Sequence, residues 1–331
     1  MSVGDYRKIG TIKSTPEFRE YLDELGVDLP CDYAAIYGSE SPLAEKIEVL
    51  GRTLGNRFAV QPMEGWDGAN DGRPTENVFR RWRRFGQSSA KLIWGGEAVA
   101  VRPDGRANPN QLMILPSTVD DLARLREELV RTHDESFGRS DDLLVGLQLT
   151  HSGRFSRPNR KDRAEPRIAY RHPLLDKRLG LNDEYPVLSD GEIGEIIGDY
   201  HRAAILAQGA GFDFVDVKHC HGYLGHEFLS AFTRDGDYGG SLLNRTRFLR
   251  EIVEGIRSSC PDLGVGIRLS AFDIVPYVPD HTQSLPGKMG PGIFENYCDC
   301  MPYIYAFGVN QDSRQKWISR KPSSYLKSSG N

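Results

Sequence analysis

DFVDVKHCHGYLGHEFLS, residues 213–230, joins an apolar, β-branched run to a dense group of ionisable side chains. DFVDVKH (213–219) reads as a strand, and Lys218, His219, Cys220, His221, Tyr223 and His226 crowd its end. The segment before it, SDGEIGEIIGDYHRAAILAQ (189–208), has the helical period. Ile193, Ile196, Ile197 and Tyr200 share one face, and Ser189 with Glu192 forms a capping box at its start. GAG (209–211) stops that helix. A helix feeding an apolar strand that ends in polar residues is the repeating unit of a parallel α/β fold.

The same unit recurs on both sides. NRFAVQPM (56–63), KLIWGGEAVAV (91–101), DLLVGLQLTH (142–151) and GVGIRLSAF (264–272) read as further strands. Helices are predicted over 75–85, with Val78, Phe79, Trp82 and Phe85 inward, over 117–133, opened by hydroxyl capping residues, and over 242–259. Strands this continuously apolar are buried on both faces. An open doubly wound sheet and a closed barrel compete. No GxGxxG follows the first strand, which weakens the former. The polar residues stand at C-terminal strand ends, Gln61 to Glu64, Gln148 to His151, Lys218 to Tyr223, and Arg268, where a barrel gathers its chemistry. The predicted fold is an α/β barrel of the TIM (βα)8 type, with about the first five βα units present by residue 272.

The chain has 331 residues, 39% of them hydrophobic, and a net charge of -4, which suits one large α/β domain. That balance argues against a nucleic-acid partner. The basic runs RRWRR (80–84) and RFSRPNRKDR (154–163) read as solvated surface. No apolar run approaches the roughly 18 residues of a membrane span, and the N-terminus lacks an apolar signal core. Cysteines at 31, 220, 260, 298 and 300 form no CxxC pair, which argues against a disulfide framework or structural zinc. A reduced, cytoplasmic chain acting on a small molecule is expected, with homo-oligomerisation left open.

His219, His221 and His226 suggest a metal, but an HxH pair alone is a weak signal and no metal is expected. Lys218 and His221 can lean into one mouth as two donors that polarise a carbonyl or grip an anion. Tyr223 can deliver a proton there, or simply pack at the rim.

LQLTHSGR (147–154), HGYLGHEFLS (221–230), RDGDYGGSLLNRTRF (234–248) and GIRLSAFD (266–273) together resemble the Old Yellow Enzyme family of FMN-dependent oxidoreductases, in order and spacing, over about 42–310. The resemblance implies an eight-stranded βα barrel with FMN at its mouth and NADH or NADPH as electron donor. It implies that Pro62, Met63, Glu64 and Ala98 line the flavin, that Gln148 meets the pyrimidine edge, and that Arg268 stands by N1 and O2. Lys218 and His221 would bind the acceptor group and Tyr223 would be the proton donor. The implied reaction is hydride transfer from NAD(P)H through FMN to an activated alkene. An amine or N-methyl dehydrogenase on the same scaffold and a non-catalytic remnant are the alternatives.

Three features depart from the family pattern. Lys218 stands where histidine is usual, and its fixed charge predicts a carboxylate or nitro acceptor, or an amine substrate. Glu64 replaces a small hydroxyl or thiol. An ionised carboxylate there opposes flavin reduction, so it is expected to have a raised pKa, to point away, or to cap the loop GWDGAND (65–71). After FGVNQDS (307–313) the chain loses apolar periodicity, which predicts a truncated member: an extension over 1–41, an incomplete barrel over 42–312 and a divergent tail over 313–331.

Overall fold

The computed structural model describes residues 7–270 and 277–295. Residues 271–272 of the predicted fifth strand and the predicted tail lie outside them. The chain divides into two compact units, Met1–Arg57 and Phe58–Asn331.

In the first unit, helix α1 (Thr15–Leu25) is capped by Ser14, whose side chain accepts from the Glu17 amide, and it ends at Gly26 with φ 63°. Strands β1 (Ile47–Val49) and β2 (Arg52–Leu54) pair antiparallel. Leu50 and Gly51 both take positive φ between them, the conformation a two-residue hairpin turn requires.

The second unit runs β3 (Ala59–Val60), α2 (Glu76–Gln87), β4 (Leu92–Ile93), β5 (Ala98–Ala100), α3 (Val119–Phe137), β6 (Leu144–Thr150), α4 (Pro173–Leu179), α5 (Asp190–Gly209), β7 (Phe214–His219), α6 (Leu224–Leu229), α7 (Leu242–Arg245), α8 (Arg247–Ser259) and β8 (Gly264–Leu269). A small antiparallel pair, β9 (Tyr277–Pro279) and β10 (Gly292–Phe294), follows. The larger sheet is parallel in the order β3-β4-β6-β7-β8, with β5 also on β6. Neighbours in space are neighbours in the chain. A doubly wound sheet reverses its order, whereas a barrel does not, so this is a partial βα barrel.

The predicted elements are present, with local differences. The first strand is cut short at Val60 because Pro62 has no N–H for the ladder. The second is split into β4 and β5 at Gly95 and Gly96, both at positive φ. Thr246 breaks the fourth predicted helix into α7 and α8. Thr118 does not cap α3 with its side chain; its hydroxyl donates back to the Met113 carbonyl at 2.7 Å. The capping box at α5 forms in full, and hydrogen bonds from Ser189 hold the Glu192 carboxyl down to about 2. Both basic runs turn partly inward, contrary to the solvated reading. Arg81 is ion-paired to buried Glu97, and Arg154 is only 1% exposed.

Helices α2, α3, α5 and α8 bury Val78, Trp82, Leu122, Leu125, Leu129, Ile193, Ile196, Tyr200, Phe248 and Ile252 in one cluster, with Val215 and Val217 from β7. The opposite face of the sheet packs large against small. The Phe214 ring lies where a side chain on Gly146 would project, and Trp94 meets it edge-on at 5.3 Å. His219 faces the helix layer, against Gly225 of α6. Burial, with the neighbouring His226, pushes its pKa down to about 3. His151, also buried, accepts the Gly153 amide on Nδ1 at 3.1 Å, so its proton sits on Nε2. Burial holds its pKa down at about 4.

Two expectations follow from this packing. Gly146→Ala drives a methyl into the Phe214 ring and should cost about 1–3 kcal/mol in urea denaturation. Gly194→Ala, exposed within α5 with open space around it, should instead stabilise by about 0.5–1 kcal/mol. Equal effects would contradict the packing described. Second, His151 and His219 are neutral when folded and take up protons near pH 6.5 when unfolded. The unfolded chain binds more protons below that pH, so stability is full above it and falls as pH drops from 6.5 towards 4. The slope should reach about 1.4 kcal/mol per pH unit for each histidine. A denaturation midpoint that is flat between pH 7 and pH 5 would refute buried neutral histidines.

Candidate active site

Strand β7 alternates its side chains, as any strand must. Val215 and Val217 join the helix-side core, which leaves Phe214, Asp216 and Lys218 on the other face. Register then chooses their neighbours. Gln148 of β6 lies opposite Asp216, and Arg268 of β8 lies opposite Lys218. Gln148 Nε2 donates to Asp216 Oδ2 at 2.6 Å. Burial raises the Asp216 carboxyl, against the pull of that hydrogen bond and of the Arg268 charge.

Lys218 Nζ forms a hydrogen-bonded ion pair with Glu64 Oε1, and each side chain is only 6% exposed. Tyr223, the residue that leads into α6, donates its hydroxyl to Glu64 Oε2 at 2.9 Å. Trp66 Nε1 donates to the same oxygen at 3.2 Å. The Lys218 ammonium also stands 3.8 Å from the centre of the Tyr223 ring, a cation–π distance. Burial raises the Tyr223 phenol strongly, and the adjoining Glu64 charge raises it further, so the phenol keeps its proton. The charge of Lys218, expected to select an anionic acceptor, is therefore already countered from within the chain. Glu64 does not point away; it is turned onto Lys218 and Tyr223, and its contact with its own loop is the Trp66 indole N–H.

A second carboxylate holds the backbone beside Glu64. Glu97 Oε1 accepts the Gly65 amide at 2.8 Å, and Glu97 Oε2 accepts Arg81 Nη1 at 2.6 Å. Arg81 Nη2 reaches Asp67 Oδ1 at 2.7 Å. Burial pushes the Glu97 carboxyl up to about 7 despite Arg81. On the opposite side, Arg154 Nε donates to Glu227 of α6 at 2.8 Å, Nη2 donates to the Tyr170 carbonyl at 2.6 Å, and Nη1 pairs with Asp176 of α4. This buried guanidinium ties the loop after β6 to the helix that follows Tyr223.

The remaining predicted residues are distributed as follows. Ala98 is buried in register with Gln148, and its amide donates to the Met63 carbonyl at 3.2 Å. Pro62 is buried beside Gly95, whereas the Met63 side chain is 66% exposed. Arg268 is half-buried. His221 is exposed and held at φ 61°, a conformation uncommon outside glycine. Its amide donates to Ser270 Oγ at 3.3 Å, and its ring makes no hydrogen bond among the described residues. The structure thus brings Glu64, Lys218 and Tyr223 onto one another, Ala98 beside Gln148, and Arg268 beside Lys218. It does not hydrogen-bond His221 to that group.

Asp216, Glu97, Arg81 and Arg154 were not singled out from the sequence. Asp216 was detectable, being an acid two residues before Lys218 in an apolar strand and so on the same face. Arg81 and Arg154 carried no such signal, because a buried arginine in a basic run differs from its neighbours only by its partner.

Comparison with known proteins identifies the family and the fold. The family model described as NADH:flavin oxidoreductase / NADH oxidase matches residues 42–284. The NADPH dehydrogenase of Bacillus subtilis (strain 168) is 31% identical over 233 residues, covering 69% of this chain and 63% of that protein. The NADPH dehydrogenase of Halalkalibacterium halodurans is 33% identical over 239 residues, covering 71% and 64%. The chain therefore spans a little under two thirds of the length of these relatives. Among solved structures, Old Yellow Enzyme from Pichia sp. AKU4542 shares the fold with a TM-score of 0.54 at 24% identity, covering 71% of this chain and 61% of that one. Morphinone reductase in complex with tetrahydroNAD has a TM-score of 0.54 at 25% identity, covering 70% and 64%. With its strand order, its buried polar strand ends and a family match over most of its length, the chain belongs to the NADH:flavin oxidoreductase / NADH oxidase family.

Proposed function

We propose that the chain is an FMN-dependent NAD(P)H oxidoreductase that reduces an activated alkene or a related electron-poor acceptor. The observation that carries this reading is the convergence of Lys218 and Tyr223 on one oxygen-bearing group at the C-terminal end of β7. Membership of the family and the likeness to NADPH dehydrogenases support it.

The residues fit the edge of a flavin ring. Gly95, at φ 92°, lets the backbone of Gln148 and the Pro62 ring close in, since a Cβ there would lie 2.9 Å from the Gln148 backbone nitrogen and 3.2 Å from Pro62, and so draws these two expected flavin-lining residues together. Gln148 has committed Nε2 to Asp216, which leaves Oε1 to accept from a ring N–H. Arg268, opposite Lys218, supplies a fixed cation for the electron-rich edge. Pro62, Met63, Glu64 and Ala98 would line the ring. The resemblance assigns the FMN phosphate to loops among three further strands after the fifth, and residues 1–331 carry no match to them. When bound, FMN carries hydride between the nicotinamide donor, NADH or NADPH, and the acceptor. The chain's own part is to hold and protonate. His221 donates to the acceptor oxygen, and Lys218, the other residue assigned to the acceptor site, is held there by its pair with Glu64. Tyr223, kept protonated by burial, delivers its proton to the α-carbon.

We further infer a reduced, cytoplasmic setting, supported by the free thiols of Cys31, Cys220 and Cys260. Among the described residues β3 and β8 each pair on one side only, which supports self-association through open strand edges.

The test uses the purified full chain with added FMN. The expected result is bound flavin that bleaches with NADPH or NADH and recovers its colour on adding an enone. Tyr223→Phe should slow enone turnover by about a hundredfold or more while flavin bleaching is unchanged. Unchanged turnover would remove Tyr223 as donor, and a chain that takes up no FMN would overturn the reading.

A further inference from the structure

Glu64 occupies the clamp. The acceptor-site donor Lys218 Nζ and the proton-donor hydroxyl of Tyr223 are each spent on a different oxygen of its carboxylate. Trp66 adds a third donor. The backbone next to Glu64 is anchored in turn, since the Gly65 amide is bound by Glu97, and Glu97 by Arg81. Both members of the Lys218–Glu64 pair are buried, and separating two buried charges leaves each without compensation.

This arrangement discriminates between ligands by charge. An external carboxylate cannot use the Lys218 charge without entering beside a buried carboxylate that already holds it. Like charges in one desolvated site oppose each other strongly. A neutral carbonyl needs only a hydrogen bond. It can take one from His221, whose ring makes no hydrogen bond among the described residues, while Lys218 and Tyr223 stay bound to Glu64.

We propose that Glu64 is an internal ligand of the acceptor clamp and its specificity-determining residue, excluding carboxylates and other oxyanions and admitting neutral carbonyl acceptors. The proposal rests on the assignment of Lys218 and Tyr223 to the acceptor site. It reverses the preference that a lysine at position 218 suggests by itself.

Benzoate and benzamide, nearly the same in shape and different in charge, are the probes. Their binding to the full chain by equilibrium dialysis requires no turnover, so it can fail or succeed independently of flavin bleaching. The unmodified chain should bind benzamide about tenfold more tightly than benzoate or better. Glu64→Gln removes the carboxylate, frees Lys218, and should reverse the order, tightening benzoate by about tenfold or more. Adding Lys218→Ala to Glu64→Gln should abolish that gain. If the unmodified chain binds benzoate as well as benzamide, including no detectable binding of either, the proposal is overturned, and this arm stands even if Glu64→Gln fails to fold. A benzoate gain that survives Lys218→Ala would overturn it as well.

Discussion

The parallel ladder that seats β7 between β6 and β8 is the constraint on which the site depends. Its register sets Asp216 beside Gln148 and Lys218 beside Arg268. Strand side chains alternate, so a slip of one residue would exchange the two faces of β7. His219, neutral and packed on Gly225, would then enter the polar mouth, and the Lys218 ammonium would enter an apolar layer of Val215, Val217 and the helices. Burying that charge without a partner costs several kcal/mol, so the hydrophobic pattern of the strand enforces the register that the chemistry uses.

Around this ladder, buried charges are distributed in pairs. Lys218 meets Glu64, Arg81 meets Glu97 and Asp67, and Arg154 meets Glu227 and Asp176. Lys218 and Glu64 are 154 residues apart and Arg154 and Glu227 are 73 apart, whereas the Arg81 pairs and Arg154–Asp176 tie nearer segments, 14 to 22 residues apart. The net stability from such pairs is small, because desolvation offsets attraction, while loss of one partner is expensive. Their consequence is positional: they hold the loop after β3, the loop after β6 and the start of α6 in fixed relation to the end of β7. The mouth is therefore preorganised by electrostatics on a scaffold held together by apolar packing.

Much of the fold was legible in the order of residues, and so was the clustering of ionisable groups that makes the candidate site. Helices announced themselves by apolar spacing and by caps such as Ser189 with Glu192, and strands by unbroken β-branched runs. The errors were local and had physical causes. Pro62 ends the first strand, and paired glycines at 95 and 96 interrupt the second. Arg154 and Arg81 look like their solvated neighbours in composition, yet their partners draw them inward. Lys218 and Tyr223 stand out as candidate site residues from the strand end and the family resemblance and Asp216 by sharing the face of Lys218, whereas Glu97 gained meaning only through contacts.

By itself, then, the sequence determined which segments are helices and strands, that the strands run parallel, and that ionisable groups collect at their C-terminal ends. All of these follow from short-range periodicity and capping, which a linear reading contains. Only the tertiary structure decided what Lys218 faces. Glu64 lies 154 residues away from it and 159 from Tyr223, so no local rule links them. That meeting turns an apparent anion site into a charge-neutral one, because an ammonium and a carboxylate buried together satisfy each other before any ligand arrives.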